Sequence, residues 1–335
     1  MRRLSIAWQV WLPTAVIFLG AYARIRQWLG GRTLWLDEVL IADNLVQRGF
    51  VDLVREPLLH SQAAPALWLW LERLSVDIFG TSERSLRLVP LLAGLAVLGL
   101  ILPFARRILP RVLVPVPVLV VALHPGLIYY SNEVKQYSTD VLVVMVLVLM
   151  SFRVRSDAGD GPPLRRLAAA GAVAVWLSYA SIFVLAGISV VIVLRPLRDR
   201  DLRRAVRMAL VLSVWLVSLA VAYLLLLRRL TENQPLSDFW AFSYPNSAAD
   251  LPTWLVRRWF GLAENPLELT LHGLGLLLVA FGLLRLSRET GRRTALLWAA
   301  VPAALTAAAL STYPFAGRLA LWLVPVAAVT LAAAL

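Results

Sequence analysis

The sequence contains no cysteine, so disulfides, thiolate metal sites and cysteine nucleophiles are excluded. Lysine is almost absent too: Lys135 stands alone, and every other basic residue is arginine. A solitary lysine is either a survivor of chance or a position that needs a compact ammonium, since the two side chains differ in shape and hydration. Charged residues make up only 16% of the chain, against roughly 25% in a soluble domain. Charge is scarcest inside a series of apolar runs, most of them near the length of a membrane span. That scarcity argues against a charged path through the bilayer of the kind a transporter or flippase of lipid-linked saccharides requires. No His–carboxylate spacing demands a metal, although Asp37 and Glu38 leave room for a divalent ion.

What the chain has in abundance is apolar surface, 60% of its residues, together with a formal charge of +13. In a soluble protein that charge would suggest nucleic acid. Here the arginines sit at the ends of apolar runs, which is how a membrane protein fixes its orientation, so the expected partners are membrane lipids and not nucleic acid. Spans are predicted near 6–22, 86–104, 112–130, 137–152, 208–227, 267–286, 294–310 and 319–335. The stretch 167–194 is too long for one span, and the polar Ser178-Tyr179-Ala180-Ser181 in its middle marks a hairpin of two short helices. The N-terminus begins like a signal peptide but offers no convincing small-residue cleavage site, and reads as a retained first span. The expectation is an all-α polytopic membrane protein, one domain over 1–335 with about ten transmembrane helices.

Placing the N-terminus inside gives the inward connectors 19 basic and 5 acidic residues, and the outward face 14 and 15. The positive-inside rule predicts this asymmetry, and reading 167–194 as a single span would spoil it. The outward segments are then 23–85, with interfacial helices, the short YYSNEVKQYSTD, the aromatic-rich 228–266, and STYPFAGR. The inward connectors are short and arginine-rich, so chemistry is expected outside, on the periplasmic side of a bacterial inner membrane.

Candidate residues follow from that sidedness. Asp37 and Glu38 open a helical pattern, EVLIADNLVQ, where a carboxylate either caps the helix or enters a cleft as a general base. His60 and Gln62 lie between Pro57 and Pro65 and are candidates for substrate contact. Glu133, Tyr137 and Asp140, at i, i+4 and i+7, are predicted to share one helical face beside Lys135. Asp140 directly precedes an apolar run, where a charge costs roughly 2.5–3.5 kcal/mol on insertion scales and is usually paired or functional. Tyr179 belongs to the polar break in the hairpin. Arg318, at the outer end of the last span, either snorkels or binds a phosphate with its guanidinium fork. Tyr313, Arg228, Arg229, Arg257 and Arg258 are weaker candidates of the same kind.

Four stretches together resemble one family: WLDE, QAAPALWLWLERLSVDIFGTSERSLRLVPLLAGL, HPGLIYYSNEVKQYSTDVL and YPFAGRLALWLVP. They resemble the GT-C superfamily of membrane glycosyltransferases, specifically the bacterial proteins similar to dolichyl-phosphate-mannose protein mannosyltransferases (glycosyltransferase family 39-like). The resemblance implies a GT-C-like bundle and inverting transfer of a sugar from a polyprenyl-phosphate donor to a lipid, glycan or protein acceptor. It implies Asp37 as catalytic base with Glu38 beside it, and Glu133, Lys135 and Tyr137 facing the same cleft. Lys135 and Arg318 would neutralise the departing phosphate. Relatives commonly continue past the equivalent of Leu335 with further spans or an outer domain. The alternatives are a transporter or flippase of lipid-linked saccharides and a non-catalytic partner in cell-envelope glycan assembly.

Overall fold

The computed structural model describes residues 2–154, 161–228 and 234–335, with side chains from residue 11 onward except those at 234 and 237. Among these residues there are seventeen α-helices, a few 3-10 turns and no strand. In chain order the helices are α1 (Arg2–Leu29), α2 (Leu36–Gln47), α3 (Asp52–Arg55), α4 (Ala66–Phe79), α5 (Glu83–Leu86) and α6 (Leu88–Arg106). Then follow α7 (Pro115–Leu123), α8 (Pro125–Tyr130), α9 (Tyr137–Ser151), α10 (Pro162–Leu177), α11 (Ala180–Arg198) and α12 (Leu202–Ala222). The chain closes with α13 (Gln234–Trp240), α14 (Leu251–Glu264), α15 (His272–Trp298), α16 (Ala300–Ala309) and α17 (Leu323–Ala333).

Among the described residues three helices are long and apolar enough to cross a membrane by length and composition: Leu88–Arg106, Ala180–Arg198 and Leu202–Leu227. Four further apolar segments are shorter, so the expected count of about ten is not reached on this measure. The reasons are local. The predicted span over 112–130 carries Pro115, Pro117 and Pro125, and becomes two helices, α7 and α8, parted at His124. The predicted span over 267–286 runs on through its arginine-rich connector as α15, which kinks at Thr290 instead of stopping. The hairpin over 167–194 does divide at Ser178-Tyr179: Ser178 leaves the helix with φ −155° and ψ 125°, and Ser181 Oγ donates to its carbonyl at 2.6 Å.

α9 lies at the centre, packed against α6, α10 and α11, with Val141, Val144, Met145 and Val148 essentially sealed. Small residues let other backbones approach: a Cβ at Gly187 would collide with the Ala299 carbonyl, and one at Gly282 with that of Thr330. The segment 23–85 builds a second, smaller core from Ile41, Leu45, Leu53, Trp68 and Leu69, and Val134 of the turn 131–136 inserts into it. Burying each such aliphatic side chain contributes about 1.5–3 kcal/mol, so the two segments are fastened together by a core of their own.

The break at His124 is repaired by distant side chains. Pro125 has no N–H to offer the Val121 carbonyl. Arg24, fully buried on α1, donates to the Val121 and Ala122 carbonyls at 3.1 and 2.9 Å, a cation at a helix C-terminus. The Gly126 amide, freed on the other side, donates to Glu268 Oε1 at 3.1 Å. These links hold α8, and hence the turn after it, in register with the bundle.

Candidate functional site

The segment 131–136 is a succession of tight turns and helix begins only at Tyr137. Glu133 therefore does not share a helical face with Tyr137 and Asp140, contrary to the i, i+4, i+7 expectation. The turn places Glu133, Val134 and Lys135 against the segment 23–85, at Trp35, Glu38 and Asp37 respectively.

At the start of α2 the two adjacent carboxylates separate. Glu38 turns inward, is fully buried, and accepts from Arg87 Nε at 2.7 Å, Arg87 Nη2 at 2.6 Å and the Val134 amide at 3.0 Å. It also accepts from the Trp35 amide at 3.3 Å, the backward half of a capping box. Arg87 completes the joint by donating to the Arg32 and Thr33 carbonyls at 2.6 and 3.3 Å. The capping and bracing role thus falls to Glu38, whose oxygens are occupied. Breaking this pair strands a buried charge, so Arg87→Met is expected to destabilise the fold by about 3–5 kcal/mol, read from thermal unfolding in detergent. The double variant Arg87→Met/Glu38→Leu is expected to recover most of that loss; no recovery would mean that the pair is not the joint.

Asp37 turns the other way. Its Oδ1 lies 3.0 Å from Lys135 Nζ and its Oδ2 2.8 Å from Arg318 Nη1, and the side chain keeps 17% of its exposure. Lys135 also donates to Gln62 Oε1 at 2.6 Å. Arg318 lies over the Tyr137 ring, its guanidinium carbon 5.5 Å from the centroid. Burial pulls the Lys135 pKa below that of an ordinary lysine, with Asp37 opposing it. Burial alone would lower that of Arg318 as well, but Tyr137 and Asp37 carry it upward. Glu133 accepts from Trp35 Nε1 at 2.6 Å, while its other oxygen is buried without a partner. Burial pushes its carboxyl up to about 7, the Trp35 bond opposing and the neighbouring Glu38 and Asp37 reinforcing.

Residues from four distant parts of the sequence, Asp37, Gln62, Lys135 and Arg318, therefore meet in one cluster, with Glu133 and Tyr137 at its edge. The His60 side chain does not join it: its Nε2 lies 2.9 Å from Asp43 Oδ2, and the ring is exposed. His60 and Ser61 both hold left-handed φ angles, 60° and 54°, in the turn that delivers Gln62. Asn44 braces that turn, accepting from the Leu59 amide at 2.7 Å. Asp140 and Tyr179 lie below the cluster, with Ser178 Oγ donating to Asp140 Oδ1 at 2.6 Å. Arg257 pairs with Asp250 and Arg258 donates to the Ser243 carbonyl, both away from the cluster; Arg229 lies outside the described residues. Arg87 and Arg32 were not singled out by sequence. The one available signal was Arg87 inside the SERSLRLVP stretch, where a charge at the head of an apolar run reads as an ordinary span boundary.

A divalent metal fits poorly here. Among the described residues no three His, Asp or Glu side chains are placed to hold a metal ion, and Asp37 and Glu38 are each already engaged by cations of the chain. What the cluster offers is one carboxylate between two fixed cations in a largely buried setting. It can accept a proton at Asp37 and stabilise an incoming anion at Lys135 and Arg318.

Residues 63–225 match the sequence model of the dolichyl-phosphate-mannose-protein mannosyltransferase family. That segment holds Glu133 and Lys135 but neither Asp37 nor Arg318. No curated protein matches the chain by sequence. Among solved structures, ArnT from Cupriavidus metallidurans in the apo state matches with a TM-score of 0.59 at 18% identity, over 98% of this chain and 59% of that one. The same protein bound to undecaprenyl phosphate matches with a TM-score of 0.58 at 18% identity, over 98% and 60%. The chain thus spans about three fifths of the length of these structures, and at this identity the likeness is one of fold.

Proposed function

We propose that the chain is an integral membrane protein of the GT-C superfamily, and that it is an inverting glycosyltransferase using a polyprenyl-phosphate-linked sugar. The observation that carries the proposal is Asp37 held between Lys135 and Arg318, at 3.0 and 2.8 Å, within a buried cluster. Undecaprenyl phosphate is bound by the similar ArnT, and a phosphate of this kind would draw on the same two cations here.

In the proposed reaction an acceptor hydroxyl oxygen attacks the anomeric carbon from the face opposite the phosphate. The new C–O bond forms as the sugar–phosphate bond breaks, and the phosphate leaves with the electron pair. Asp37 takes the hydroxyl proton. Lys135 and Arg318 stabilise the charge that grows on the phosphate, so they favour the transition state over the ground state. Tyr137 orients Arg318 from beneath, Gln62 shares the Lys135 ammonium, and Glu38 fixes α2 so that Asp37 is aimed into the cleft. On the charge asymmetry of the connectors the cleft opens on the face opposite the arginines, in a bacterial inner membrane the periplasmic one. Transfer to a lipid, glycan or protein acceptor is tested by incubating the purified protein with labelled polyprenyl-phosphate sugars. Release of polyprenyl phosphate with an inverted glycoside supports the reading; movement of intact donor without bond cleavage opposes it.

Glu133 makes this site sensitive to pH. Its carboxyl, near 7 when folded against an ordinary 4.5, is neutral below about 7 and adds a negative charge above it. Its contribution to stability is full below about 4.5 and is lost as pH rises through about 7. A dialkyl phosphate, whose single charge does not change in this range, is expected to bind several-fold more weakly at pH 8 than at pH 6. Glu133→Gln is expected to flatten that profile, as isothermal titration can show. A wild-type profile that is already flat would contradict the assignment.

A further inference from the structure

Where α7 ends, a groove of about 350 Å³ opens between α7, α17 and the segment 267–269. Its walls are apolar, running along Leu119 and Leu123 on one side and from Val324 to Leu331 on the other. Its two polar lining residues are His124 and Glu268, and no arginine or lysine lines it. The two side chains meet over Gly126, where a Cβ would lie 3.1 Å from Glu268 Oε1 and 3.3 Å from His124 Nδ1. The joint between α7 and α8 uses one atom of each. His124 Nδ1 accepts from the Leu127 amide at 3.3 Å, and Glu268 Oε1 accepts from the Gly126 amide at 3.1 Å. Because Nδ1 accepts, the proton of the neutral ring is assigned to Nε2. That N–H has no hydrogen-bond partner, on a side chain that is only 7% exposed. The Pro266 and Leu267 carbonyls stand near the ring without receiving this N–H in hydrogen-bond geometry. Glu268 is exposed and pairs with no arginine or lysine among the described residues.

A joint alone accounts for Nδ1 and Oε1 but not for what remains. A carboxylate without a counter-ion, beside a buried N–H that lacks an acceptor, costs stability unless a ligand completes both. Both stand at the head of an apolar slot. From Val324 to Leu331 the slot follows α17 for seven residues, a rise of about 10 Å, enough for the first part of an acyl chain. We propose that this groove binds a phospholipid with a primary-amine head group, of the ethanolamine type. Its ammonium donates to Glu268, a phosphate or ester oxygen accepts from His124 Nε2, and one chain lies between α7 and α17. An anionic head without an amine would meet Glu268 with no lining cation to compensate it. A choline head brings the charge but no N–H to donate, so the site discriminates between two zwitterions. The proposal is independent of the transferase reading, since no residue of the groove belongs to the Asp37 cluster.

The test is native mass spectrometry of the delipidated, detergent-solubilised protein, titrated with phosphatidylethanolamine, phosphatidylcholine and phosphatidylglycerol of identical chains. One ethanolamine lipid is expected to bind about tenfold more tightly than either of the others, the worth of a hydrogen bond to a charged group. Glu268→Gln keeps an acceptor for the Gly126 amide and is expected to erase that preference, with thermal unfolding within about 2 °C of wild type. His124→Asn keeps a side-chain oxygen to cap α8 and is expected to weaken the ethanolamine lipid several-fold. Should one variant unfold, the other decides. Glycerophosphoethanolamine, the head without chains, is expected not to compete even in large excess. Equal affinity for the three lipids, or an ethanolamine preference that survives the substitutions, overturns the proposal. So does competition by the chainless head, or displacement of the lipid by short-chain polyprenyl phosphate, which would give the groove to the sugar donor instead.

Discussion

Replacing Asp37 by Asn is expected to lower the rate of transfer by about 10²–10⁴-fold while leaving donor binding intact or tighter. The direction of the binding effect is the informative part. Asp37 engages both Lys135 and Arg318, at 3.0 and 2.8 Å. A donor phosphate must share or displace those contacts, so an amide in place of the carboxylate frees two cations for it. If Asp37 were only a strut, its loss would leave two like charges facing each other, and stability and donor affinity would fall together. Parallel measurement of turnover, donor titration and thermal unfolding separates the two. Loss of turnover alone identifies the base, and full activity in Asp37→Asn would remove it.

Neutralising the cations should act on the other half of the reaction. Lys135→Met and Arg318→Met are each expected to cost about 10²–10³-fold in rate, comparable to losing one preorganised donor from an anion-stabilising site. The double variant should lose less than the product of the two, because both cations act on one phosphate and share Asp37. Lys135→Arg is expected to remain impaired. The ammonium sits between Asp37 Oδ1 at 3.0 Å and Gln62 Oε1 at 2.6 Å, a gap set for a compact point charge and not for a planar fork. Kinetics of Lys135→Arg close to wild type would show that charge alone matters at this position.

Much of this arrangement was legible in the sequence, because charge placement in a membrane protein carries information that a soluble surface does not. Lys135 stood out as the only lysine, Asp140 as a charge beside an apolar run, and the hairpin break at Ser178-Tyr179 as polarity within apolar sequence. The convergence of Asp37, Gln62, Lys135 and Arg318 was not written in any spacing. It depends on a tertiary joint, Glu38 with Arg87 and the Val134 amide, that fastens the segment 23–85 to the turn 131–136. Helical periodicity misplaced Glu133, since nothing in NEVKQY announces that helix waits until Tyr137. The adjacency of Asp37 and Glu38 concealed how they divide their work. Neighbouring positions at a helix start point about 100° apart, so one carboxylate can brace the joint while the other faces Lys135 and Arg318. Helix bounds departed from the predicted spans where proline or a kink cut or fused apolar runs, as at His124 and Thr290.

The central claim is that Lys135 and Arg318 form a receptor for a lipid phosphate, with Asp37 between them. The most direct test is isothermal titration of the solubilised protein with short-chain polyprenyl phosphate, comparing wild type, Asp37→Asn and Lys135→Met/Arg318→Met. Saturable binding that is kept or tightened by the first variant and weakened at least tenfold by the second is the predicted result. Equal affinity in all three proteins would contradict it.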